Sequence, residues 1–176
     1  MLKNIAFVGG IHGVGKSTVC KMICLELGIG YLSASQILKW DYINPTNTKS
    51  VSDISHNQNL LISGLSNISK SNDYYLLDGH YSLMNSQNLI TKIPFDTFQI
   101  INPISLGIVI GNISEIKERL EKRDNQHYDY DILEEMQKIE IDYAHEIAEK
   151  LRINLNISDI SDYSSIKNDL QIKIIS

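Results

Sequence analysis

The chain alternates short apolar runs, rich in β-branched and aromatic residues, with longer stretches whose apolar positions recur every three or four residues. That alternation predicts parallel strands joined by helices. NIAFVG (4–9) reads as a buried strand, and Val19, Ile23 and Leu27 put an apolar stripe on a helix over 16–27 that Gly28 ends. GIGYLS (28–33) follows as a second strand, and Ser33 with Gln36 offers a capping box for the short helix ASQILKW. The polar stretch 41–51 predicts a loop, and Ile54, Leu61, Leu65 and Ile68 share roughly one face of a helix over 52–69.

DYYLLDGH (73–80) is the third predicted strand and SLGIVIGN (105–112) the fourth, ending at Asn112, an N-cap candidate with Glu115 three positions on. ISEIKERLEKR (113–123) is amphipathic, and Asp131, with Glu134 three later, is expected to open a long helix through Ile132, Met136, Ile139, Tyr143, Ile147 and Leu151. INLNIS (153–158) alternates as a last strand, and the C-terminal tail reads as helix. The expected architecture is a single doubly wound α/β domain over 1–176, five parallel strands with helices on both faces. Ligands in such sheets gather beyond the carboxyl ends of the strands. The segment after the first strand, the end of the third and the turn after the fourth therefore share one rim.

Composition narrows the partners. Hydrophobic residues make up 43% and charged residues 21%, the balance of a globular chain, and the net charge of −5 leaves no basic face for nucleic acid. The first apolar run turns into glycines too early for a signal peptide or membrane span, so a cytoplasmic location without membrane association is expected. Cys20 and Cys24 lie one helical turn apart and lack nearby ligands to complete a metal site, which makes them core residues of the first helix. Arginine occurs only at positions 119, 123 and 152.

The chemistry concentrates at one motif. Gly10-Ile11-His12-Gly13-Val14-Gly15-Lys16-Ser17 fits G-x-x-x-x-G-K-[ST] in full, between a predicted strand and a helix that continues with Thr18. The glycines let backbone N–H groups curl around a phosphate chain, and the following helix N-terminus adds favourable partial charge. In such a loop the lysine, Lys16, reaches the β- and γ-phosphates and the hydroxyl of Ser17 binds Mg²⁺. The motif therefore points to ATP with Mg²⁺. Asp78, at the end of YYLLD, stands where a Walker B aspartate holds the metal directly or through water. His80 either contacts a substrate, acts as a base or caps the turn, and His12 is expected to line the pocket wall. Arg119 and Arg123, four apart on one helix, are expected to point the same way and to stabilise charge on a transferring phosphoryl group, Arg123 foremost.

With GIHGVGKS, YYLLDGH and ERLEKRD in this order, the chain resembles the adenylate-kinase-like P-loop kinases, especially the short-lid, archaeal type of adenylate kinase. It is also similar to small bacterial ATP-binding proteins with LDGH at this strand end and NQ in the preceding helix. The resemblance implies a P-loop NTPase fold with strand order 2-3-1-4-5, ATP·Mg²⁺ as donor, an acceptor bound between residues 33 and 72, and a short mobile lid at about 119–130. One departure stands out: residues 31–75 contain no arginine to hold an acceptor's phosphate, only Lys39, Lys49 and Lys70. Either Lys49 takes that role or the acceptor carries no phosphate. Asp53, Asn57 and Gln58 are further acceptor-binding candidates, their alternative being a solvated helix start.

The expected activity is phosphoryl transfer to a nucleoside monophosphate or another small acceptor, with no oligomeric state assigned. The alternative is a regulatory or switch-type ATPase with a kinase-like fold and no acceptor. A GTPase is disfavoured because no N-K-x-D segment follows the fourth strand.

Overall fold

The computed structural model describes residues 4–40, 54–68, 73–85, 87 and 89–175. In chain order these form β1 (Ile5–Gly9), α1 (Lys16–Leu27), β2 (Gly30–Ser33), α2 (Ala34–Trp40), α3 (Ile54–Ile68), β3 (Tyr75–Asp78), β4 (Ser82–Met84), β5 (Ile90–Lys92), α4 (Phe95–Ile101), β6 (Ser105–Val109), α5 (Ile113–Asp124), α6 (Tyr130–Leu151), β7 (Leu155–Ser158) and α7 (Ser164–Ile175). Five strands pair in parallel in the order β2-β3-β1-β6-β7. The expected order 2-3-1-4-5 differs from this in its numbering, because β4 and β5 intervene as a separate antiparallel hairpin. Each hairpin strand is three residues long, too short to register as periodicity. Its turn is built by the Asn85 side chain, whose oxygen accepts from the amides of Gln87 at 2.9 Å and Leu89 at 3.0 Å. The short helix α4 was likewise not foreseen.

Side-chain alternation along the strands divides the core between the two faces of the sheet. Ile5, Phe7, Leu77, Leu106 and Ile108 pack with Leu61 and Leu65 of α3, Phe98 of α4 and Tyr143 and Ile147 of α6. Ala6, Val8, Leu76 and Val109 pack with Val19 and Ile23 of α1, Ile116 and Leu120 of α5, and Ile166 and Leu170 of α7. Every residue of β1 is therefore buried, and both cysteines are free and buried on α1.

Two sequence expectations need correction at α6. Its N-cap is Asp129, not Asp131: the Asp129 carboxylate accepts from the amides of Asp131 at 2.9 Å and Ile132 at 3.1 Å. Its buried face runs through Leu133, Met136, Glu140, Tyr143, Ala144 and Ile147, while Ile132 is exposed. Met136, Tyr143 and Ile147 of the expected stripe lie on that face and Ile139 and Leu151 are half-buried, but Leu133 stands in place of Ile132 and Glu140 was not expected there. The cap at Asn112 holds, with its side chain accepting from the amide of Glu115 at 3.2 Å.

Leu106 is fully buried in the central sheet, away from the loop that follows β1. Leu106→Ala should lower unfolding free energy by about 2–5 kcal/mol. Urea denaturation with an unchanged m-value would check this.

Candidate functional site

The parallel register places Val8 beside Asp78, so β1 and β3 deliver the glycine loop and the strand-end acid to the same rim. Two glycines are required where they stand. Gly10 adopts φ 143°, and a Cβ there would lie 2.5 Å from the Val109 carbonyl oxygen. Gly15 adopts φ 97° as the N-cap of α1, where its carbonyl accepts from the amides of Thr18 at 3.0 Å and Val19 at 3.2 Å. The loop thus delivers Lys16, Ser17 and Thr18 as the first residues of a helix N-terminus.

Lys16 and Asp78 are both buried and form an ion pair between Nζ and Oδ1. The Ser17 hydroxyl donates to Asp78 Oδ2 at 2.5 Å, and the phenol of Tyr31 donates to the same oxygen at 2.8 Å. Burial, reinforced by the Asp78 carboxylate, pushes the Tyr31 phenol well above its ordinary pKa. Tyr31 comes from β2, whose Ser33 pairs with Asp78, and sequence reasoning missed it. The only signal was a tyrosine in a strand adjacent to an acid-ended strand. The hydroxyl of Ser17 and carboxylate of Asp78 form a hard-oxygen donor pair. Such a pair suits Mg²⁺, which keeps several waters and binds through one or two protein groups plus substrate phosphates. Among the described residues no group of three or more His, Cys, Asp or Glu side chains converges to cage a metal.

His80 lies against His12, with ring centroids 4.3 Å apart. Burial first, then the neighbouring charges of Lys16 and His12, pushes His80 well below the usual histidine range. His80 is therefore a neutral imidazole at neutral pH. Ile11 and His12 also line a cavity of about 510 Å³ that sequence reasoning did not anticipate. Its other walls are Leu83, Met84 and Asn85 of the hairpin, Leu120 and Arg123 of α5, the turn 126–129, and Ile132, Leu133 and Met136 of α6. Elements distant in sequence enclose it, so no local pattern could have shown it.

The two arginines expected to act together have different surroundings. The Arg119 guanidinium donates to the Val14 carbonyl at 3.4 Å and to the Glu115 carbonyl at 3.2 Å. It lies close to Gly15, as does Ile160 from the β7–α7 connection. Arg123 lines the cavity instead and forms a two-point pair with Asp124, both bonds at 2.8 Å. Asp124 also accepts from the Tyr128 phenol at 2.6 Å, and its carboxylate raises the pKa of Arg123 further. Of the expected acceptor-binding residues, Gln58 is buried on α3. Lys49 and Asp53 lie outside the described residues, as does the side chain of Asn57.

Residues 9–137 match the family described as "AAA domain", and the chain belongs to that family. No curated protein sequence matches the chain. Among solved structures, a gluconokinase from Sinorhizobium meliloti is similar with a TM-score of 0.53 and 12% identity, covering 98% of this chain and 91% of its own. Shikimate kinase from Acinetobacter baumannii, in complex with shikimate, gives 0.55 and 14%, covering 99% and 92%. The Bacillus subtilis YorR protein, in complex with phosphorylated GDP, gives 0.52 and 14%, covering 97% and 93%. The fold is that of P-loop kinases: a five-stranded parallel sheet flanked by helices.

The Lys16–Asp78 pair has a consequence for stability. Lys16→Ala leaves a buried carboxylate without its cation, and should lower unfolding free energy by about 3 kcal/mol. Adding Asp78→Ala should recover part of that loss, which a double-mutant cycle by urea denaturation would measure.

Proposed function

We propose that the protein transfers the γ-phosphoryl group of ATP to a small hydroxyl-bearing acceptor held in the cavity beside the glycine loop. The observation that carries this reading is the shared wall. Ile11 and His12 belong both to the phosphate-binding loop and to the cavity of about 510 Å³, so an acceptor there lies against the loop. A motor or switch has no need of a small-molecule cavity at that place.

ATP supplies the phosphoryl group, with Mg²⁺ to neutralise charge on its β- and γ-oxygens. Ser17 and Asp78 would hold the metal. Lys16 would exchange its carboxylate partner for phosphate oxygens, which cost less to approach because the ammonium is already desolvated in its ion pair. Arg119 and Ile160 both lie beside Gly15 and offer a flat cation and an apolar side chain near the loop, groups suited to contact a nucleobase. In the transfer, the acceptor oxygen bonds to the γ-phosphorus as the bond to the β–γ bridging oxygen breaks and ADP leaves. The hydroxyl proton passes to a phosphoryl oxygen or to solvent, since the burial and the Lys16 charge that keep His80 neutral also make it a poor proton acceptor. Arg123, released from Asp124, would bear on the transferring group as the turn 125–129 closes and excludes water.

Among the described residues, Arg123 is the one arginine in the cavity wall, and Asp124 occupies its fork. That favours a hydroxyl acceptor without a phosphate over a nucleoside monophosphate. The neighbours named gluconokinase and shikimate kinase are small-molecule kinases, which accords with this class. Lys49, Asp53, Asn57 and Gln58 remain candidates for its far end. No helix among the described residues is long and apolar enough to cross a membrane, and we place the enzyme in the cytoplasm.

ADP release with Mg·ATP should be stimulated by one member of a panel of sugars, hydroxy acids, nucleosides and nucleoside monophosphates, with its phosphorylated product seen by mass spectrometry. Equal hydrolysis across the panel would instead indicate a regulatory ATPase. Lys16→Ala should abolish turnover, and Arg123→Ala should lower kcat by ~10²-fold if the guanidinium stabilises transferring charge.

A further inference from the structure

Three charged side chains are buried among the described residues: Lys16, Asp78 and Glu140. The first two neutralise each other. Glu140, on the inner face of α6 and only 1% exposed, has no cation within ion-pair distance among the described residues. Hydrogen-bond donors meet its charge instead. Oε2 accepts from the amides of Gly10 and Tyr81, each at 3.1 Å. Oε1 accepts from the amide of Ser82 and from the Ser82 hydroxyl, the latter at 2.8 Å.

The identity of these donors is informative. Gly10 is the residue from which the phosphate loop departs, and Tyr81 and Ser82 directly follow Asp78, Gly79 and His80. Four donors from two segments converge on one side chain. Among side chains only a carboxylate offers about four acceptor sites and no donor. Burial pushes Glu140 above the usual carboxylate range, while the Tyr81 and Ser82 donors and the Lys16 charge oppose that shift. The same helix is fastened one turn earlier, where Gln137 accepts from the Gly111 amide at 2.9 Å and donates to its carbonyl at 3.0 Å. Within the turn or so before that, Ile132, Leu133 and Met136 line the cavity.

We propose that Glu140 is a positioning residue for the phosphate site: it fixes Gly10 against the segment carrying Asp78 and His80, so the loop stands preorganised for a phosphate chain. The proposal rests on reading that loop as the nucleotide site. A group held in place before binding loses less freedom when the ligand arrives, so its contribution is read in affinity for phosphate. Gly10 is then gripped on two sides, by Val109 where no Cβ fits and by Glu140 from α6.

Glu140→Gln keeps the shape but turns one oxygen into a donor, so at least one amide loses its acceptor. Titration calorimetry with ADP and with inorganic tripolyphosphate should show both binding about 10-fold more weakly than to the unaltered protein. Hydrogen exchange at the Gly10 or Ser82 amide should accelerate about 10-fold while Leu106 and Ile108 in β6 keep their protection. Leu106→Ala, which destabilises the fold away from the loop, should leave tripolyphosphate affinity unchanged, separating positioning from general stability. A folded Glu140→Gln variant that binds both ligands within twofold of the unaltered protein overturns the proposal. If that variant fails to fold, Glu140→Asp is measured in the same way, and in the unaltered protein the Gly10 amide must be as protected as β6; exchange as fast as an open turn also overturns it. An unaltered protein that binds neither ADP nor tripolyphosphate defeats the nucleotide reading itself, a result distinct from the loss of positioning alone.

Discussion

A carboxylate at the end of a buried strand must find a cation and hydrogen-bond donors or it destabilises the sheet that carries it. Asp78 meets that requirement with three groups from two other places in the sequence: Lys16 and Ser17 from the start of α1, and Tyr31 from β2. The pairing of β3 with both β1 and β2 makes this meeting possible. The same contacts set the chemistry. An ammonium, a hydroxyl and a carboxylate held together at a helix N-terminus form a place where phosphate oxygens and a hard cation can replace internal partners at little cost in reorganisation.

Around that centre the rim is built in layers. The glycine loop takes its direction from β1 and its curvature from positive φ values at Gly10, Gly13 and Gly15. Helix α5 packs Leu120 against the loop and carries Arg119 toward Val14, while Arg123 one turn later belongs to the cavity. A spacing of four residues therefore separates two environments, and the two guanidiniums serve different neighbours. Helix α6 ties the layers together, touching the cavity through Met136, the turn after β6 through Gln137, and the loop through Glu140. Tyr143 continues the series, its phenol donating to the Ile93 carbonyl at 2.6 Å.

Much of the fold was legible because its signals are local. The stripe of Val19 and Ile23, the cap at Asn112 and the glycine that ends α1 each depend on neighbours within a turn or two, and each appears in the structure as expected. The hairpin β4–β5 was not legible, since three-residue strands leave no period and their pairing depends on a turn built by the Asn85 side chain. The inner face of α6 was legible at Met136, Tyr143 and Ile147, but one of its members was not. Hydrophobic periodicity treats a glutamate as solvent-facing, yet Glu140 is among the least exposed residues of that helix.

The sequence alone determined that a glycine loop leads from a strand into a helix here, because G-x-x-x-x-G-K-[ST] encodes backbone geometry and charge within eight consecutive residues. It also determined the alternation of strand and helix, which follows from periodicities of two and 3.6. Only the tertiary structure decided which side chains share a site. Tyr31, Asp78 and Lys16 meet through parallel strand register, and Glu140 reaches Gly10 across 130 positions of chain. The cavity exists only where the loop, the hairpin and two helices enclose it. Contacts of that kind depend on how elements pack, and packing is a property of the folded whole rather than of any stretch within it.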